Sequence, residues 1–140
     1  MTDTTFHVDG TPAPQGSKRH VGNGRLIESS KLVKPWRDAI VTAAQHNNIT
    51  LHTHPDTHVI ITFYLRRPKA HYTSTGQLKN NAPQHHTTRP DLDKLVRSTF
   101  DALTLAGFWR DDALVCRIDV GKKYAATGDP LGAWIEVSAL

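Results

Sequence analysis

Two pairs of carboxylates have the residue types and spacing to do chemistry: Asp91 and Asp93 in the run Arg89-Pro90-Asp91-Leu92-Asp93, and Asp111-Asp112 further along. An all-oxygen cluster drawn from both pairs would suit Mg²⁺ or Mn²⁺, which keep several waters and are completed by a substrate phosphate. The natural reaction of such a site is phosphodiester hydrolysis. Arg97, one helical turn beyond Asp93 and Lys94, could stabilise charge on the phosphate or align the attacking water. Leu92, Leu95, Val96, Phe100, Leu103 and Ala106 recur at helical spacing between the pairs, and Gly107 closes the run. A helix over 93–106 is about 20 Å long at about 1.5 Å per residue, so its two ends share a metal only if the loop from Gly107 to Arg110 folds back along it. Asp91 and Asp93 would also point about 200° apart inside a helix, so convergence further requires Asp91 to lie on the extended segment that Pro90 favours. A purely structural reading competes: Asp91 as a helix cap, Asp93 and Asp101 as surface acids, Asp111-Asp112 as a solvated turn.

The elements that must position these groups can be read from the rest of the chain. Phe6 to Val8 reads as a strand, and Asn23-Gly24 as the turn of a hairpin between Lys18–Val21 and Arg25–Glu28. Trp36, Ile40, Ala43 and Ala44 mark an amphipathic helix with Pro35 in its first turn and Asn47-Asn48 at its end. The β-branched and aromatic run from His58 to Arg67 reads as a central strand stopped by Pro68. Lys69 to Arg89 has no period and is expected to be a loop over the site. ALVCRIDVGKKY and GAWIEVSAL read as strands, the first with Leu114, Cys116, Ile118 and Val120 on one face. Cys116 is expected to be buried filler, and Trp109 a core residue. These elements predict an α+β fold, a small β-sheet flanked by two helices, as one domain over 1–140.

At 140 residues and 15.6 kDa the chain is one domain's worth of protein. A net charge of +4, a pI near 9.4 and nine His are compatible with a polyanionic partner. The single cysteine excludes an internal disulfide and a zinc ribbon, which makes the reducing cytoplasm the expected location. The N-terminal MTDTTFHVDG lacks the basic and apolar regions of a signal peptide, and no stretch reaches the roughly 20 apolar residues of a membrane span. Neither secretion nor a membrane partner is expected.

The run RPDLDKLVRSTFDALTLAGFWRDDALV resembles the RusA family of Holliday junction resolvases, many of them carried by phages and prophages. The signature is an acidic pair in a D-x-D-N/K-L context, a helix carrying DAL, then a G-x-W-x-D-D step; Asp91, Asp93, Asp101-Ala102-Leu103 and Gly107 to Asp112 match it in order and spacing. Pro-Gln-Gly-Ser-Lys-Arg, the aromatic-led first helix and Lys122-Lys123-Tyr124 extend the likeness over most of the chain. The resemblance implies metal-binding carboxylates at Asp91, Asp93 and Asp112, with Mg²⁺ as cofactor and Mn²⁺ as a substitute. The family's lysine falls on Arg97, which keeps the charge but does not readily release a proton; Lys94 is the alternative cation. A small mixed α/β subunit, a symmetric homodimer and a four-way DNA junction as partner are likewise implied.

Cations in loops and at strand ends, among them Lys18, Arg19, Arg25, Arg66, Arg67, Lys69, Arg89, Lys94, Lys122 and Lys123, could reach a phosphate backbone. His86, just before the acidic motif, is a candidate for the scissile region, and Tyr72 for stacking on a splayed base. His52, His54 and His85-His86 do not make a zinc set. The expected activity is resolution of four-way junctions by paired nicks; a flap or fork nuclease and a non-catalytic junction-binding protein are the alternatives.

Overall fold

The structure, a computed structural model, describes residues 4–15, 18–20, 26–28, 31–47 and 56–140. Eight elements carry the fold: β1 (Thr4–Asp9), β2 (Lys18–His20), β3 (Leu26–Glu28), α1 (Val33–His46), β4 (Thr57–Leu65), α2 (Leu92–Leu105), β5 (Val115–Tyr124) and β6 (Gly132–Ala139). β1, β6, β4 and β5 form a sheet in that order, and β2 pairs with β3 in a separate ribbon. β4 and β5 are parallel; the other neighbours are antiparallel. This is the mixed α+β architecture expected. The Asn23-Gly24 turn, Asn48, His52 and His54 lie outside the described residues.

A parallel pair needs a crossover, and the segment containing α2 supplies it. β4 leaves the sheet at Leu65, the chain returns down α2, and β5 rises beside β4. The N-terminus of α2 therefore stands at the carboxyl ends of β4 and β5, where open sheets with parallel strands commonly bind ligands.

Alternation along β4 fixes the orientation of the sheet. Thr57, Val59, Ile61, Phe63 and Leu65 are buried on the face covered by Trp36 and Ile40 of α1 and by Leu95, Ala102 and Leu103 of α2. α2 ends where the sequence predicts: Gly107 has φ +77°, its N–H donates to Thr104 O, and Phe108 N–H donates to Leu103 O, the paired bonds of a left-handed helix stop. That stop turns Phe108 and Trp109 back into the core, and Trp109 Nε1 donates to Thr104 Oγ1 at 2.7 Å.

β5 departs from its expected faces. Thr57 pairs with Val115 but His58 pairs with Arg117, so Cys116 is the extra residue of a bulge. Cys116 is exposed, with Sγ on Thr57 O, instead of buried with Ile118 and Val120. Ile118 keeps the inner parity opposite Val59 yet stays exposed, because β5 is an edge strand.

Candidate functional site

Asp91 takes the position that convergence requires. Its backbone is extended (φ −70°, ψ 138°), and its carbonyl accepts from Leu95 N–H at 3.1 Å, closing the first turn of α2. Its carboxylate makes no capping bond, and Lys94 Nζ lies 3.7 Å from it. Asp93 and Arg97 are exposed, one turn apart, and Asp101 and Leu105 continue the same exposed line at four-residue steps.

The loop from Arg66 to Pro90 is folded around the end of β5. Arg67 places its guanidinium carbon 4.1 Å from the Tyr124 ring centroid, donates to Pro83 O at 2.6 Å and contacts His71 Nδ1 at 3.2 Å. His86 packs on the same ring at 4.7 Å and is buried, with Nδ1 lacking a hydrogen-bond partner. Burial lowers its pKa, and the nearby Lys122 ammonium lowers it further. Lys122 Nζ donates to Thr88 O at 2.5 Å and to Pro90 O at 2.8 Å.

The second acidic pair lies at the other end of the molecule. Asp112 opens a single 3₁₀ turn before β5, and Asp111 caps that turn by accepting from Ala113 N–H at 2.9 Å. About 12 Å of helix separates Asp93 from Asp101, the acid nearest Asp112 on α2. β5 gives a second ruler: its ten residues span about 30 Å, and Lys122 near its far end holds Pro90. The Gly107–Arg110 segment does not fold back along α2 far enough, and among the described residues no three His, Cys, Asp or Glu side chains cluster to hold a metal. Partial burial raises the pKa of Asp112, helped by a hydrogen bond to Asp111 and by the charges of Asp111 and Asp101.

The profile of the family described as "Endodeoxyribonuclease RusA" matches residues 9–137. The chain belongs to the RusA family. Crossover junction endodeoxyribonucleases RusA of Escherichia coli (strain K12) and of Enterobacteria phage 82 are each 51% identical to it over 43 residues. That stretch is 31% of this chain and 36% of each relative, so little more than a third of the relatives' length is matched.

For a RusA-family chain, Asp91 just before α2 and Asp93 in its first turn fit what magnesium commonly takes from protein: one or two carboxylates, with waters and substrate phosphate supplying the rest. The third expected carboxylate, Asp112, is not brought to that pair within one chain. Lys94 lies against Asp91, Lys123 over the Tyr64 ring and Arg25 outside the described residues, and the other expected DNA-contacting residues fall into three groups. Lys18 and Arg19 lie on β2, and Gln15, the last described residue before that strand, donates its N–H to Lys94 O on α2 at 3.1 Å. Arg67, Lys69 and Tyr72 line an open groove of about 760 Å³ with Arg66, Thr73, Ser74, Gly76 and Ala125–Gly128, and Arg89 is exposed beside Asp91. His86 and Lys122 face inward onto Tyr124 and the loop carbonyls. From the sequence Tyr124 belongs only to the Lys122-Lys123-Tyr124 likeness and carries no role of its own; its position two residues after Lys122, on the same face of an edge strand, is the signal for one.

Proposed function

We propose that this chain is a divalent-metal-dependent endonuclease that resolves four-way DNA junctions by paired nicks, acting on DNA in the cytoplasm as a homodimer. The observation that carries the reading is Asp91: its main chain is held at the carboxyl ends of two parallel strands while its carboxylate is left uncapped, two residues before Asp93 on the first turn of α2. Mg²⁺ or Mn²⁺ bound there would supply Lewis acidity and an activated water when present. Asp91 and Asp93 hold the ion, Arg97 faces the phosphate from one turn further along α2, and Lys94 limits the repulsion between the acidic pair and DNA. Lys69 and Arg89 are exposed and placed for the phosphate backbone, Arg66 joins them from the groove, and Lys18 and Arg19 of β2 are proposed as further contacts.

The separation of Asp112 from the pair adds a requirement. If all three carboxylates serve one ion, they come from two subunits, because one helix cannot bring its own ends together. A two-fold axis that sets two copies of α2 antiparallel would place Asp112 of a second subunit near Asp91 and Asp93, and Arg97 opposite that subunit's Asp101. It would also cover Leu105, which is 67% exposed. Each dimer then has two equivalent sites for the two scissile phosphates of a junction.

The test is incubation with labelled mobile junction, linear duplex and flap, in Mg²⁺ or in EDTA. Paired nicks in the junction alone, dependent on Mg²⁺ and lost in Asp93→Asn while junction binding persists, are expected. Preferential flap cleavage would replace resolution by the flap reading, and binding without cleavage in Mg²⁺ would make the chain a junction-binding protein.

A further inference from the structure

The ammonium of Lys122 is committed to the backbone around the acidic motif. A lysine has three N–H donors, and two of them serve the carbonyls of Thr88 and Pro90. Those two carbonyls bracket Arg89-Pro90, and the Pro90 carbonyl belongs to the peptide group whose nitrogen is that of Asp91. One cation thus gathers the chain immediately before Asp91, and the Asp91 carbonyl is fixed on the other side by Leu95 N–H. The side chain between these two anchors remains uncapped. Lys122 is itself well seated: it pairs with the buried Phe63 in the β4–β5 register, and Tyr124 on the same face is packed by Arg67 and His86.

We infer that Lys122 is a positioning residue that sets the Asp91 carboxylate for metal by holding the Thr88 and Pro90 carbonyls, rather than a contact to DNA. The inference rests on the reading of Asp91 as a metal ligand. Groups that orient a ligand from behind are commonly worth about 10-fold or more in metal affinity or activity. Lys122→Met keeps the length of the side chain and removes both hydrogen bonds; Lys122→Arg keeps cation and donors. For Lys122→Met, Mn²⁺ binding to the DNA-free protein, followed by electron paramagnetic resonance, should weaken about 10-fold. The Mg²⁺ concentration for half-maximal junction cleavage should rise in parallel, while the junction Kd measured in EDTA stays within about twofold, since no phosphate contact is lost. Lys122→Arg should recover most of both losses. Should the Met variant fail to fold, Lys122→Gln, which can serve one carbonyl only when its amide is suitably turned, should show an intermediate defect of the same kind. Weakened junction binding with Mn²⁺ affinity unchanged would overturn the inference and make Lys122 a phosphate contact, and unchanged behaviour in every assay would overturn it as well. A wild-type protein that binds no Mn²⁺ and cleaves nothing would instead remove the metal reading of Asp91, an outcome visible without any variant of Lys122.

Discussion

A site divided between subunits predicts that two dead proteins mixed together regain activity. Within one chain the acidic pair and Asp112 stand at opposite ends of a 14-residue helix about 20 Å long, whereas oxygens bound to one Mg²⁺ at about 2.1 Å lie at most about 4 Å apart. Asp93→Asn and Asp112→Asn are each expected to abolish cleavage as homodimers. In a mixed dimer of the two, one site combines both defects, and the other combines the intact pair of the Asp112→Asn subunit with the intact Asp112 of the Asp93→Asn subunit. Random exchange of equal amounts makes about half the dimers mixed, so about a quarter of the wild-type number of sites is restored. Each restored dimer has one working site, so the product is a singly nicked junction in place of two resolved duplexes. The assay is a gel that separates nicked from resolved junction after the two proteins are mixed, exchanged and given Mg²⁺. Lack of any nicking above the two separate proteins, with exchange verified by mass, would refute the division: sites completed within one chain contain one defect in every subunit and cannot complement.

Three further outcomes follow from individual side chains. Arg97→Ala should lose about 10²- to 10³-fold in cleavage rate while Arg97→Lys stays active, if the position needs a cation facing the phosphate; a fully active alanine variant in single-turnover assays would move that role to Lys94. His86 has its pKa held below the ordinary value of about 6.5 by burial first and Lys122 second. The unfolded chain therefore takes up that proton more readily, and the stability due to neutral His86 is complete above about pH 6.5 and is lost as pH falls from there through the folded-state value. His86→Phe, which keeps a ring against Tyr124, should show a smaller drop in melting temperature between pH 7.5 and 5.5 than the parent, and equal drops would refute the assignment. Ser98 Oγ is buried and donates to Ala13 O at 2.6 Å, so Ser98→Ala should cost about 1–3 kcal/mol in urea unfolding by leaving a buried carbonyl unpaired; an unchanged midpoint would mean that water reaches it.

What the sequence disclosed depended on how local the cause was. The two helices, the central strand and the stop at Gly107 follow from periodicity and one glycine, and each is present. Cys116 could not be placed correctly because its exposure comes from a register shift against Thr57 and His58, a pairing between strands about sixty residues apart. The cations were legible as charge but not as contacts. Lys122 and Lys69 read alike in the chain, yet one lies on an inward parity of β5 beside two carbonyls, while the other lines an open groove. The acidic motif shows the same limit at larger scale. Its spacing sets a helix between Asp93 and Asp112, and that helix is itself what keeps them apart. A three-carboxylate site therefore demands a second copy of the chain, and the length of the spacer, fixed by the core positions from Leu95 to Leu103, determines how far the dyad must carry Asp112 to reach the pair.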